Sequence, residues 1–320
     1  MRIPGMDPFI VKLLLCVALA SVLPVHGPAA QWMNTLTTAA VALLFFLHGA
    51  RLSRESLMSG LTHWRLHLAI TACTFAMFPL IGLALQRPLD ALVTPSLTIG
   101  FLFLCALPST VQSAIAFTSI ARGNVAAAVC SASGSSLLGV FLTPLLVSLI
   151  IDSSGEARVS LDAIGKIVLQ LLLPFVLGQL ARPWLQKRLE QRAALVKHVD
   201  QGSILLVVYT AFSEAVVQGL WRDTPPLALA GVVLASCVLL ALMLTLTWTL
   251  GRVLGFSMPD RITLFMCGSK KSLASGAPMA HVLFAGPMLG SVMLPLMVFH
   301  QIQLMVCAWL AARWGERPAD

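Results

Sequence analysis

Cys267-Gly268-Ser269-Lys270-Lys271-Ser272-Leu273-Ala274-Ser275-Gly276 places two adjacent lysines inside an apolar span running from Ile262 to Phe284. Asp260 and Arg261 mark one edge of that span. At 1.5 Å per helical residue the lysines lie roughly 14 Å in, near the middle of a hydrocarbon core about 30 Å thick. A cation at that depth costs at least a few kcal/mol, so it is retained only where it meets water, a partner or a ligand. The two glycines and three serines around the pair suit a helix that opens here and turns its backbone toward a cavity.

Working outward, 58% of the 320 residues are hydrophobic, 11% are charged, and the mean hydropathy is +0.89. That composition is a polytopic membrane protein. The formal net charge of +8 does not point to nucleic acid, because the basic residues sit in short loops between apolar segments. The seven cysteines (Cys16, Cys73, Cys105, Cys130, Cys237, Cys267 and Cys307) lie in apolar spans without metal-ligand spacing, and read as small packing residues. Arg2 followed by Leu13–Val25 has the look of a signal peptide, with Ala29-Ala30 as a cleavage region, but the topology closes only if this stretch is kept as a first helix.

Apolar runs fall at about 8–25, 36–50, 66–86, 94–121, 124–151, 164–181, 203–221, 226–251, 262–284 and 287–312, the second being short for a crossing. Ten spans put both termini on one side. That side then holds fifteen of the 21 Lys and Arg residues, the other side four, and Lys270 and Lys271 remain within. The asymmetry predicts cytoplasmic termini, and a bacterial inner membrane is the expected location. The chain reads as one polytopic domain, residues 1–320, made of two halves at about 1–155 and 156–320. Thr98–Ser113 in span 4 resembles Thr263–Ser275 in span 9, and their cysteines, Cys105 and Cys267, are 162 residues apart. Each polar patch leads to a glycine turn, at Gly123 and Gly286. Five spans per half require an inverted repeat, and paired interrupted helices point to a transporter site.

Five motifs carry a family resemblance: Phe46-Leu47-His48-Gly49-Ala50-Arg51-Leu52-Ser53, Leu107-Pro108-Ser109-Thr110-Val111-Gln112-Ser113, Ala121-Arg122-Gly123-Asn124, Phe141-Leu142-Thr143-Pro144 and Gly268-Ser269-Lys270-Lys271-Ser272-Leu273-Ala274. They resemble the bile acid:sodium symporter superfamily, in particular its bacterial branch of sodium-dependent transporters, which has eukaryotic relatives implicated in calcium homeostasis. The resemblance implies an all-α fold of ten helices, a panel domain from spans 1, 2, 6 and 7, a core domain, and two discontinuous helices crossing at the substrate and sodium sites. It also implies sodium ligands that this chain lacks. Two hydroxyl positions of span 5 correspond to Ala128 and Ala132, and the Glu and Gln of span 9 fall near Met266 and Lys270. Two cations beside the lost acid oppose sodium binding, and a lysine ammonium can take a sodium ion's place.

The candidate substrate- or ion-binding residues are Ser109, Thr110, Gln112 and Ser113 after Pro108, Ser131 and Ser135 on span 5, and Ser269, Lys270, Lys271, Ser272 and Ser275 in span 9, with Glu214 and His300. Pro108 removes a backbone donor and frees a carbonyl for a ligand, although a packed proline kink is the alternative. The span-5 serines fit a cation path or close helix packing, with packing preferred. Glu214 is a counter-charge to the lysines or a snorkelling acid at the rim. His300, with Gln301 and Gln303, is more simply a helix-to-helix bonder, as is His281.

No Walker motif, dinucleotide fingerprint or nucleophile elbow is present, so an enzyme is not expected, nor a metal site or cofactor beyond Na+ or H+ as coupling ion. The expected activity is secondary-active transport of a small organic anion by alternating access, drawn to half-helix N-termini and the lysines. Two alternatives stay open: a proton-coupled or uncoupled carrier with Lys270 or Lys271 in place of sodium, and a regulatory membrane protein in ion homeostasis. Partners are then an anionic solute and membrane lipid, with no nucleic acid.

Overall fold

A computed structural model describes residues 8–51, 63–154, 161–284 and 288–317. Among these, every regular element is helical: α1 (Pro8–Val22), α2 (Pro28–Arg51), α3 (Trp64–Ala72), a π-helical turn (Cys73–Met77), α4 (Phe78–Leu92), α5 (Pro95–Ala106), α6 (Gln112–Ile120), α7 (Val125–Ser154), α8 (Leu161–Gln191), α9 (Ala193–Val217), α10 (Leu220–Asp223), α11 (Pro226–Val253), α12 (Met258–Gly268), α13 (Leu273–Leu283) and α14 (Met288–Gly315). Five of the described helices are long and apolar enough to cross a membrane, counting α3, the π-turn and α4 as one. Two shorter apolar helices, Val11–Val22 and Pro95–Ala106, accompany them.

The second apolar run, expected to be short, is in fact a 24-residue helix. The residues that hid it are polar ones whose hydroxyls turn back onto the helix. Thr35, Thr37 and Thr38 donate to the carbonyls of Gln31, Met33 and Asn34, one turn earlier. A threonine satisfied in this way no longer reads as a polar interruption.

The helices pack in two groups. Helices α1, α2, α8 and α9 lie against one another. Between α2 and α8 the backbones nearly touch: a Cβ on Gly49 would stand 2.0 Å from the Phe175 carbonyl oxygen, and one on Gly178 would stand 1.9 Å from that of Phe46. Only glycine permits that approach, the usual device where lipid supplies no hydrophobic drive between helices. Helix α1 is fastened to α9, with the Cys16 thiol on the Leu205 carbonyl and the Tyr209 hydroxyl donating to the carbonyl of Leu23.

The second group contains the interrupted helices. Helices α5 and α6 are separated by residues 107–111, and α12 and α13 by 269–272. At one end of this group the turn Ala121-Arg122-Gly123-Asn124 ties α6 and α7 to α12. Asn124 donates its side-chain amide to Asp260, caps Ala127 N–H and shares Thr263 through its backbone. The turn needs Gly123, since a Cβ there would meet Ile262 at 2.9 Å. Gly286, its proposed counterpart, lies outside the described residues. All seven cysteines are free thiols, five of them buried, in keeping with a packing role.

Candidate functional site

Pro108 has no N–H, so the Leu104 carbonyl cannot receive its usual partner four residues on and accepts instead from Leu107 N–H. The helix ends there and leaves a set of carbonyls unserved. Each finds a partner from another element. Ala106 accepts from the Thr143 hydroxyl at 2.9 Å, and Pro108 accepts from the Ser272 N–H at 2.9 Å. Cys105 and Leu107 both accept from the ammonium of Lys271, at 2.8 and 2.6 Å.

The third acceptor of that ammonium arises by a similar subtraction. In the π-turn, Phe78 N–H bonds to the carbonyl of Cys73, five residues back, rather than to that of Thr74. The next residue, Pro79, has no N–H to offer. The Thr74 carbonyl is thereby orphaned, and Lys271 Nζ fills the gap at 2.8 Å. Three donors meet three carbonyls, and the face of Phe78 lies 4.2 Å from the same nitrogen. Each hydrogen bond from a charged donor contributes about 1.5–3 kcal/mol, and a desolvated cation–π contact up to about 2. Lys271 is fully buried, and its cage is complete.

Gln303 on α14 holds the backbone of this lysine from the other side. Its oxygen accepts from Lys271 N–H at 2.9 Å and its amide donates to the Lys271 carbonyl at 2.7 Å. His300 Nδ1 stands 3.3 Å from the same carbonyl and 2.9 Å from the Gln303 amide nitrogen, donating to the first when protonated and accepting from the second when not. Sequence reasoning grouped His300 with Gln303 but chose the histidine; the glutamine makes both backbone bonds.

Lys270 leaves the same break in another direction. It too is fully buried, but its Nζ has no hydrogen-bond partner, and only the ring of Phe117 on α6 lies over it, at 4.3 Å. Backbone that is not helical sends consecutive side chains to different sides, which separates two residues that adjacency would group together.

The two breaks touch directly. Besides the Ser272–Pro108 bond, the Ser109 hydroxyl donates to the Cys267 carbonyl, and Ser109 N–H donates to the Ser135 hydroxyl at 2.9 Å. Ser135, Gly139 and Thr143 form one stripe of α7 along the first break, and a Cβ on Gly139 would stand 2.7 Å from the Pro108 ring. Ser113 donates to Thr110 at 2.9 Å, and Gln112 is exposed at the start of α6. In the second break, Ser269 donates to the Phe265 carbonyl and Ser272 caps α13 by accepting from Ser275 N–H at 3.1 Å. Ser131 is apart from the crossing, in a 2.6 Å contact with His67. Glu214 lies half-buried in the last turn of α9, and the groups around both ammonium ions are carbonyls, rings and thiols. The structure therefore gathers Ser109, Ser135, Ser269, Lys270, Lys271, Ser272 and His300 at one crossing. The sequence list left out Thr74, Phe78, Phe117 and Gln303. Pro79, five residues beyond Thr74, was the signal for the first of these.

Known proteins resemble this chain in sequence over nearly its whole length. The chain is 60% identical over 314 residues to an uncharacterized protein of Pseudomonas aeruginosa, covering 98% of this chain and 94% of that one. It is 55% identical over 314 residues to YfeH of Escherichia coli, provisionally named a symporter, with the same coverage. It is 30% identical over 304 residues to the sodium/bile acid cotransporter 7 of Rattus norvegicus, covering 93% of this chain and 89% of that one. Residues 7–316 match the SBF-like CPA transporter family. With apolar helices of membrane-crossing length and a match over nearly its whole length, this integral membrane protein belongs to the SBF-like CPA transporter family, within the bile acid:sodium symporter superfamily.

Proposed function

We propose that this chain carries a small organic anion across the bacterial inner membrane by alternating access, without sodium as the coupling ion. Lys271 takes the part of the bound cation. The observation that supports this is the cage of three carbonyls, from Thr74, Cys105 and Leu107, closed around its ammonium. An ammonium carries the same charge as a sodium ion and bonds to the same kind of oxygen, but it is tethered and cannot leave with the substrate. A free cation at the same carbonyls would face an unscreened like charge.

The remaining architecture of the proposal is ten crossings in two inverted halves, about 1–155 and 156–320, within one domain and with both termini cytoplasmic. The paired interruptions at 107–111 and 269–272 support it, as does the separate packing of α1, α2, α8 and α9, which would form the panel against which the core moves. The substrate would meet Ser109, Thr110, Gln112, Ser113, Ser275 and His300 at the crossing, with Ser131 and Glu214 farther along its path.

The test is uptake into proteoliposomes of labelled taurocholate and a panel of small carboxylates and sulfonates, with NaCl or KCl outside at matched ionic strength. Saturable uptake of one of them, equal in both salts, is expected. Uptake driven by a sodium gradient would overturn the sodium-free reading. An imposed proton gradient that accelerates uptake would select proton coupling, and indifference to it an uncoupled carrier. Failure of every anion to exchange would favour the regulatory alternative. A companion measurement removes the tether: sodium should leave the melting temperature of the wild type unchanged but raise that of Lys271→Ala, where the emptied cage can accept the ion.

A further inference from the structure

Lys270 has no role in the cage. Its ammonium is fully buried, without a hydrogen-bond acceptor, beneath the Phe117 ring on α6. Its electrostatic neighbours are the thiols of Cys307 on α14 and Cys267 on α12. The hydroxyl of Thr118 is buried and meets the Cys267 thiol, with no other hydrogen-bond partner. Around them lies an apolar cluster of Ala121, Ile262, Phe265, Met266 and Ala311. An ammonium with no acceptor and a hydroxyl met only by a thiol thus share one apolar neighbourhood, and no carboxylate accompanies them in the ion pairs of the described residues. Native interiors rarely leave a charged donor unmet.

We infer that Lys270, with the Thr118 hydroxyl and the two thiols, forms a binding site for one small, weakly hydrated monovalent anion. The donor set decides the class. One ammonium, one hydroxyl and two weak S–H donors cannot replace the hydration shell of a strongly hydrated anion, and Phe117 closes one face of the ammonium. Polarisable ions with loosely held water, such as thiocyanate or nitrate, lose least on entry. The sulfonate end of an organic solute has related chemistry. The inference deepens the anion-carrier reading and rests on it for the site's purpose, but its test reads equilibrium binding alone, so either can fail without the other.

The experiment is thermal unfolding of the purified protein in detergent, in potassium gluconate, with thiocyanate, nitrate, chloride, acetate or methanesulfonate substituted at constant ionic strength. The wild type should be stabilised saturably, in the order thiocyanate, nitrate, chloride, against the general destabilising action of thiocyanate. Lys270→Met should abolish that response while staying folded in gluconate, Thr118→Val should weaken apparent affinity several-fold, and Lys270→Arg should keep part of it. A methanesulfonate shift that acetate does not give would assign the site to a solute head group. A response confined to inorganic ions would assign it to a free anion. Identical anion responses in the wild type and Lys270→Met would overturn the inference, as would wild-type destabilisation by every anion.

Discussion

Substituting methionine for either lysine keeps the unbranched stem and deletes the charge, yet the two sites respond to that deletion in opposite ways. At position 271 it strands the carbonyls of Thr74, Cys105 and Leu107, each of which costs about 1–3 kcal/mol when buried without a donor. At position 270 it removes a buried charge that has no partner to lose. Lys271→Met should therefore lower the melting temperature in gluconate by many degrees, and Lys270→Met should leave it unchanged or raise it. Equal losses at both positions would mean that the two ammonium ions share one environment. The sequence exposed the lysines because charge in an apolar span is conspicuous. It could not tell them apart, because their difference is made by Thr74, Phe117 and Gln303, which are distant in the chain and carry no mark of that contact. Gln303 is the plainest case: it grips Lys271 from 32 positions away in the chain, and only its polarity within α14 hints at it.

At the scale of elements, the interruption at Pro108 was legible because proline subtracts a donor at a known position, and helix α5 does end there. The π-turn at Cys73–Met77 was not, since its signal is the same subtraction at Pro79 but requires the bond pattern to shift by one residue first. The Ala121-Arg122-Gly123-Asn124 turn was recognised as a motif, while its work was invisible: Asn124 caps α7 and reaches Asp260 on α12 at 2.9 Å. This residue holds the two interrupted helices in register at the end far from their crossing. Asn124→Ala removes a cap worth about 1 kcal/mol and a link between elements. Hydrogen exchange should show the start of α7 and of α12 opening together in that variant, with α2 and α8 unaffected. Opening confined to α7 would show that the cap acts alone.

For the whole molecule, helix length alone identifies fewer crossings than the ten proposed from the charge distribution. Five described helices pass by length and composition, whereas the lysine and arginine asymmetry led to the proposal of ten spans. The difference lies in how the remaining spans are built. Helices α5 and α6 have 12 and 9 residues, and α12 and α13 have 11 each, so none reaches the roughly 20 needed alone, although each pair does when joined through its break. Helices α8 and α9 have length to spare at 31 and 25 residues, but their adjoining ends and the junction between them carry Arg182, Lys187, Arg188, Arg192 and Lys197, which dilute their apolar character. Ten crossings put the C-terminus and the 182–197 turn on the cytoplasmic side, and Arg222 to Pro225 on the other. A fluorescent protein fused after Asp320 should therefore fold and fluoresce in Escherichia coli, and alkaline phosphatase fused there should be inactive. Phosphatase inserted after Thr224 should be active. With the N-terminus cytoplasmic, as proposed, an active phosphatase at the C-terminus would require an odd number of crossings. Two equal inverted halves would then be impossible, and with them the alternating-access geometry built on the crossing of Pro108 and Ser272.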